Sequence, residues 1–179
     1  MIRKPAFSAI SAGAVLAAFA VAATLPITTE ASPPPTNKTA TFQVSLTVQS
    51  DCSISASALP FGTATSTLAT TALTHSTSLS VTCSTGTNYS IALDKGSVAA
   101  STVLARLLAG TGSNTQTVGY QLYSDSDATT VWGDATGGTP LTGVGTGSAV
   151  TIPVYGVVPA QSIPAADSYT STETATITF

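Results

Sequence analysis

Residues 41 to 49 read Thr-Phe-Gln-Val-Ser-Leu-Thr-Val-Gln, an unbroken alternation of polar and apolar side chains. Side chains along a β-strand point alternately to its two faces, so this pattern predicts a strand with one apolar face. Such a strand must bury that face, either in its own fold or in that of a neighbouring molecule. The apolar face would carry Phe42, Val44, Leu46 and Val48.

The sequence before this strand predicts export from the cytoplasm. A short basic stretch precedes an apolar, small-residue run from Ala6 to Ala23, which is the pattern of a secretory signal peptide. We expect cleavage after Ala23, with Ala20 and Ala31 as alternative sites.

A proline-rich segment separates the signal peptide from the alternating strand. It contains three consecutive prolines at positions 33 to 35 and has no apolar period, which is typical of an extended, semi-rigid spacer. The predicted organisation is therefore a signal peptide at 1–23, a spacer at 24–38, the alternating strand at 39–50 and a β-domain at 51–179.

The charge of the mature chain excludes several classes of partner. Without the signal peptide there are three cations and eight acids, a net charge of −5. Three cations cannot neutralise a phosphate backbone, so we expect no nucleic-acid partner, and no binding to an anionic membrane by charge. The hydrophobic content of 43% is too high for a disordered chain.

The two cysteines, Cys52 and Cys83, both follow the predicted signal peptide. An even number of cysteines in an exported protein indicates a disulfide. Two sulfurs and a single histidine make no convincing zinc site, so we predict a disulfide and neither a metal nor a cofactor.

Further alternating segments follow at short intervals, separated by stretches rich in Gly, Asn, Asp and Ser. This spacing predicts an all-β antiparallel sandwich, with only Val103 to Leu108 hinting at a short helix. The last segment runs to the terminal residue and leaves no sequence for a closing strand, which makes the alternating N-terminal strand a candidate to fill that position. The segments are 52–56, 79–83, 89–93, 118–123, 150–155 and 169–179.

The polar side chains offer little chemistry for catalysis. His75 lies among Thr and Ser, and we expect a surface position without a nucleophile to activate. Asp125, Asp127 and Asp134 could hold calcium or, with Glu173, hydrolyse a glycoside, but their spacing matches no calcium loop and acids are common in turns. We therefore predict that the protein is not an enzyme.

Four aromatic residues raise the question of a sugar-stacking platform. Aromatic side chains in a small β-domain more often pack in the core and between sheets, and we favour that interpretation. The residues are Tyr120, Tyr123, Trp132 and Tyr155.

The order of several motifs resembles the spore coat U domain, the fold of Csu-type archaic chaperone–usher pilins. The resemblance covers about residues 40 to 179. It departs from the family at Ala165-Ala166-Asp167-Ser168-Tyr169, where the family often has Gly. The motifs are the alternating strand ending in a cysteine, Leu59-Pro60-Phe61-Gly62, Leu79-Ser80-Val81-Thr82-Cys83, Tyr89 to Gly96, Arg106, Val118 to Asp125, Val131-Trp132-Gly133-Asp134, Val154-Tyr155-Gly156 and Tyr169 to Phe179.

The resemblance implies an incomplete immunoglobulin-like sandwich whose final strand is supplied in trans. A periplasmic chaperone would lend a strand first, and an outer-membrane usher would then exchange it for the N-terminal strand of the next subunit. On this chain the donor would be Thr39 to Ser50. The resemblance further implies a structural subunit of a pilus at the cell surface, serving adhesion and biofilm formation. The alternative is a self-contained secreted coat protein or carbohydrate-binding sandwich.

Overall fold

The computed structural model describes residues 30–179. The predicted signal peptide and the first residues of the predicted spacer lie outside these described residues. The chain divides into two compact units, one up to Ser45 and one from Leu46 to Phe179. Of the first unit, residues 30–45 have no regular secondary structure.

The second unit contains eight strands arranged in two antiparallel sheets. The five-stranded sheet has the order β1-β2-β7-β5-β4, and the three-stranded sheet has the order β6-β3-β8. The described part of this unit also holds a single turn of 3-10 helix at Ser66–Ala69, which begins at the capping residue Thr65. The strands are β1 Cys52–Ala56, β2 Leu73–Cys83, β3 Asn88–Leu93, β4 Arg106–Ala109, β5 Thr117–Tyr123, β6 Leu141–Val144, β7 Ala149–Val158 and β8 Ala175–Thr178.

The strand registers define two ends of this sandwich. At one end Cys52 of β1 pairs with Cys83 of β2, and a disulfide joins the two residues as the sequence predicts. At the other end Leu73, the first residue of β2, pairs with Val158, the last residue of β7. We call these the disulfide end and the far end.

The alternating patterns of the sequence place one face of each strand in the core. Ile91 and Trp132 are fully buried, and the Trp132 indole Nε1 donates a hydrogen bond of 2.9 Å to the Ile91 carbonyl oxygen. The predicted packing role is thus confirmed for Trp132, as it is for the buried Tyr120. Tyr123 of β5 and Tyr155 of β7 are directly opposite each other in the sheet. They are only half-buried, because they lie on the other face of their strands from their buried neighbours.

Two expectations about local structure are wrong. The segment with a helical pattern contains the start of β4, in which Arg106 pairs with Tyr120 of β5. The last strand is shorter than predicted, since β8 covers only Ala175–Thr178 and residues from 169 to 174 form a connection with one isolated bridge, Thr170 to Ala109.

Residues 30–179 lack two features that some other classes of protein have. This part of the chain contains no helix of the length and apolar character needed to cross a membrane. The same residues include no cluster of three or more His, Cys, Asp or Glu side chains that could hold a metal ion.

Candidate functional site: an open groove between the sheets

The two sheets separate towards the far end and leave an open groove of about 1060 Å³. Two stretches of chain border it, residues 56–66 on one side and residues 163–175 on the other. The floor is made of core side chains from both sheets, and most of them are buried, with Leu79 at 3%, Tyr120 at 5% and Val154 at 4% exposure. These floor residues include Leu68, Leu73, Leu79, Leu93, Leu108, Val118, Tyr120, Leu122, Val154 and Val158.

The free edges of two strands lie on either side of this opening. Among the described residues β8 is hydrogen-bonded only to β3, and β1 is hydrogen-bonded only to β2. Each strand therefore keeps one row of backbone N–H and C=O groups without a strand partner, which is the arrangement that accepts an additional strand.

The connecting segment between β7 and β8, residues 159–174, is held in place by side chains as well as by the backbone bridge from Thr170 to Ala109. Gln161 bonds both backbone groups of Gly119: its Oε1 accepts from the Gly119 N–H and its Nε2 donates to the Gly119 carbonyl, both at 2.9 Å. Gln161 thus takes the place of a strand residue beside β5. One border of the groove is in this way fixed without an inserted strand.

Asp167 holds the second half of the same segment against the loop between β4 and β5. Its carboxylate accepts hydrogen bonds from the Thr111 hydroxyl and backbone N–H and from the Asn114 side-chain amide. The Thr111 and Asn114 side chains, followed by the backbone N–H groups of Thr111 and Ser168, hold the pKa of Asp167 well below its ordinary value.

The opposite border, residues 56–66, packs its apolar side chains onto β5 and β7. The Phe61 and Tyr120 rings meet edge to face, with centroids 6.1 Å apart. Gly156 of β7 leaves room for this border, because a Cβ atom there would lie 2.6 Å from Leu59 Cδ2 and 2.8 Å from Phe61 Cζ.

A buried ion pair lies where the groove meets the start of β8. Arg106 is fully buried, and its Nε donates to the Glu173 carboxylate at 3.2 Å. The rest of the guanidinium donates to the Gln121 side-chain oxygen and to backbone carbonyls, among them those of Leu93, Asp94 and Trp132. The pair therefore joins β4 to both sheets.

Glu173 itself lines the groove and is partly exposed. Its carboxylate also accepts hydrogen bonds from the Tyr120 and Ser171 hydroxyl groups. Burial raises the pKa of Glu173, and this effect outweighs the opposing influence of Tyr120 and Arg106. Burial and the nearby carboxylate together raise the pKa of the Tyr120 hydroxyl.

The four predicted donor side chains are all exposed. The exposed fraction is 87% for Phe42, 82% for Val44, 88% for Leu46 and 79% for Val48. The segment that carries them, residues 39–50, forms no strand in this structure. Four large apolar side chains therefore lie together in one short, exposed stretch.

The remaining candidate residues lie outside the groove or belong to local turns. His75 is exposed on β2. The Asp125 carboxylate accepts hydrogen bonds from the backbone N–H groups of Thr129 and Thr130, and these bonds lower its pKa to about 2. Asp134 likewise accepts from Thr136. Asp125 and Asp134 thus serve as turn acceptors.

A comparison with protein-family models finds a match to the Spore Coat Protein U domain over residues 38–176. The chain belongs to this family. The match includes most of the alternating segment and nearly all of the sandwich. No curated protein matches the chain significantly.

Among solved structures, the Spore Coat Protein U domain described here is similar to a chain of a crystallised complex from Acinetobacter baumannii. That structure is the CsuC–CsuE chaperone–tip adhesion subunit pre-assembly complex of archaic chaperone–usher Csu pili. The identity is 23% and the TM-score 0.54, and the match covers 74% of this chain and 40% of the other. At this identity the likeness establishes the immunoglobulin-like fold of the Spore Coat Protein U domain.

Sequence reasoning identified the exposed segment of the Spore Coat Protein U domain but not the residues that line its groove. Those floor residues carry the same alternating pattern as any core strand, so nothing in the sequence distinguishes a core position beside the groove from one elsewhere in the core. The sequence contains a weak indication of the contact between Arg106 and Glu173, because an arginine among apolar strand residues needs a buried acceptor for its charge.

Proposed function

We propose that this protein is a structural subunit of a surface pilus assembled by the chaperone–usher pathway. In this proposal the segment from Thr39 to Ser50 of one copy inserts into the groove of the next copy and completes its sandwich. A periplasmic chaperone occupies the groove before assembly, and an outer-membrane usher catalyses the exchange. The protein acts by polymerising, in adhesion and biofilm formation, and not as an enzyme.

The observation that carries the proposal is the presence, in one chain, of an open groove between the sheets and of an exposed segment with the apolar pattern of a strand. Core Leu, Val and Tyr side chains line the groove, and residues 42–48 present four apolar side chains at strand spacing. Adding a strand to free edges supplies backbone hydrogen bonds, while alternate side chains enter the groove.

The positions of these features support an open polymer. The segment joins the sandwich at Cys52, which lies at the disulfide end, whereas the groove opens towards the far end. Donor and acceptor are different parts of the molecule. A contact between them is heterologous and continues from copy to copy as a fibre.

Burial of the four side chains provides the driving force. Each large apolar side chain contributes about 1.5–3 kcal/mol when it is fully buried, so the four together contribute at most about 6–12 kcal/mol. No bound nucleotide or metal is required for such a contact to persist.

The test is Leu46→Asp, with Thr47→Asp as the matched control. Leu46 would enter the groove, whereas Thr47 is on the opposite face of the same strand and would remain in solvent. We expect Leu46→Asp subunits to fold with their chaperone yet form no fibres, and Thr47→Asp subunits to assemble. Electron microscopy and heat-resistant ladders in gel electrophoresis measure both. Normal fibres from Leu46→Asp would refute the proposal and favour a self-contained coat protein or carbohydrate-binding module.

A further inference from the structure

The chain segments that form the two borders of the groove are joined at the far end by Gln161. Its backbone N–H donates to the Leu68 carbonyl oxygen at 3.0 Å. Leu68 is buried in the 3-10 turn that follows the border at residues 56–66, and Gln161 shortly precedes the border at residues 163–175. Gln161 comes three residues after Val158, the last residue of β7, so this link lies at the far end.

The side chain of Gln161 replaces a backbone partner that β7 cannot provide. Gln121 of β5 lies opposite Val157, so two residues further along the same register Gly119 falls opposite Pro159. A proline has no N–H group to donate to Gly119. A side-chain amide has both a donor and an acceptor, and the Gln161 amide bonds both backbone groups of Gly119 at 2.9 Å. Gln161 is therefore fixed to β5 by its side chain and to the 3-10 turn by its backbone.

The residues that directly follow Gln161 are apolar and lie at the edge of the groove. Ile163 and Pro164 both line it, and Ile163 is 54% exposed. An exposed apolar side chain beside an apolar floor gains free energy by moving onto that floor and leaving water. Such a movement would narrow the groove before a strand arrives. The bonds of Gln161 on one side of this stretch and of Asp167 on the other oppose it.

The far end is also the end at which an inserted strand leaves the groove. Only three residues separate Val48 from Cys52, where the donor's own sandwich begins. That sandwich lies outside the acceptor, beyond the far end towards which the groove opens. Val48 is thus the end of the donor nearest to the link, and the donor runs antiparallel to β8, which ends at the disulfide end.

We propose that Gln161 is a positioning residue for strand insertion, which holds the two borders in the arrangement that admits the donor strand of a second copy of this chain. This inference rests on the proposed donor-strand exchange and deepens it. Gln161 acts on the empty groove, because an inserted strand itself keeps the borders apart. Its bonds therefore control how fast a strand enters and not how fast it leaves.

The size of the effect follows from the share of molecules whose groove is open. If loss of the amide leaves about one tenth of the grooves open, the association rate falls about tenfold. A tenfold change corresponds to about 1.4 kcal/mol, an amount that the two hydrogen bonds to Gly119 can supply.

The test is Gln161→Met, which keeps the length of the side chain and the backbone N–H but removes the amide. The acceptor is the full mature chain carrying Leu46→Asp, so that its own segment does not fill a neighbouring groove. A fluorescently labelled peptide of residues 39–50 is the ligand, and fluorescence anisotropy follows its binding and release. We expect association to slow about tenfold and dissociation to change by less than about twofold.

Asp125→Ala is the control for a general loss of stability. It removes hydrogen bonds to Thr129 and Thr130 in a turn that does not line the groove, and it should leave the association rate unchanged. An unchanged or faster association in Gln161→Met would overturn the inference. An effect of Gln161→Met that is confined to dissociation would overturn it as well.

A second variant covers the case in which Gln161→Met does not fold. Gln161→Glu still accepts from the Gly119 N–H but no longer donates to the Gly119 carbonyl, and we expect it to slow association about threefold. An unchanged rate in Gln161→Glu would overturn the inference. The proposed function fails separately: it is at fault if the peptide does not bind the chain in which Gln161 is intact.

Discussion

At the scale of single residues, Arg106 is the side chain on which the site depends most. A fully buried guanidinium is tolerated because its donors meet a carboxylate and several carbonyl groups in a fixed fork. Removal of the guanidinium would leave Glu173 without its cation and these buried carbonyls without this donor. The residue therefore stabilises the start of β8, beside which the donor strand is proposed to lie.

The effect of Arg106 is best measured in a self-complemented chain, in which a second copy of residues 38–50 follows Phe179 through a short linker and fills the groove of its own molecule. We predict that Arg106→Lys destabilises this chain by about 3–5 kcal/mol, since an ammonium cannot reproduce the fork and leaves buried acceptors unpaired. Urea unfolding measures the loss. Lys95→Gln is the control, because this exposed cation bonds a single carbonyl, and it should change stability by less than about 0.5 kcal/mol. A similar small effect of both substitutions would contradict the role assigned to Arg106.

The Asp167 carboxylate predicts a defined acid sensitivity. Its pKa is lower in the folded chain than its ordinary value of 3.8, so its contribution to stability is present above that value and is lost as the pH falls below it. We expect the melting temperature of the self-complemented chain to fall between about pH 4 and pH 2, and to fall less in Asp167→Asn. Parallel melting curves for the two proteins over this pH range measure the difference. Identical pH profiles would show that Asp167 does not hold the connecting segment.

At the scale of elements, the sequence predicted the strands in which apolar and polar residues alternate because one face packs in the core. Leu79 to Cys83, Tyr89 to Leu93 and Val150 to Tyr155 alternate strictly and are strands in the structure. Their partners could not be predicted, because register depends on residues far away in the chain.

The elements that sequence reasoning missed are those fixed by contacts distant in sequence. Val103 to Leu108 has apolar residues at helical spacing, but Arg106 must face the interior to reach Glu173, and this requirement places it in β4. The border at residues 159–174 depends on Gln161 bonding Gly119 and on Asp167 bonding Thr111. None of these bonds leaves a periodic trace in the sequence, so the groove itself could not be predicted.

The border at residues 56–66 provides a prediction at this scale. Gly156→Ala would push a methyl group against Leu59 and Phe61, displace this border and destabilise the self-complemented chain by about 1–2 kcal/mol. Gly119→Ala on β5 is the matched control, because a Cβ there meets only Gln161 Oε1 at 3.6 Å, and it should be neutral or slightly stabilising. Urea unfolding of the self-complemented chain and the rate of fibre growth of the parent chain measure the two effects. If both variants behave alike, the border does not depend on close packing at Gly156.

At the scale of the whole molecule, the proposal concerns an incomplete sandwich whose missing strand belongs to another copy. The strand that would follow β8 in a complete fold starts at the disulfide end, because β8 ends there at Thr178, opposite Ser90 of β3. A strand appended after Phe179 can therefore turn back in a hairpin and run antiparallel to β8 along its free edge. This is the direction that we infer for the donor of a neighbouring copy.

The self-complemented chain tests this view of the molecule. With residues 38–50 appended through a short Gly- and Asn-rich hairpin linker, we expect a monomer that does not form fibres. Its melting temperature should exceed that of the parent chain by 10 °C or more, because about 6 kcal/mol of burial shifts a domain of this size by roughly that amount. Light scattering and calorimetry measure the two quantities.

An appended copy carrying Leu46→Asp should lose both effects, which controls for the added length. If the parent chain is already monomeric and melts at the same temperature as the self-complemented chain, its sandwich lacks no strand. An appended strand cannot bury further apolar surface in a core that is already complete.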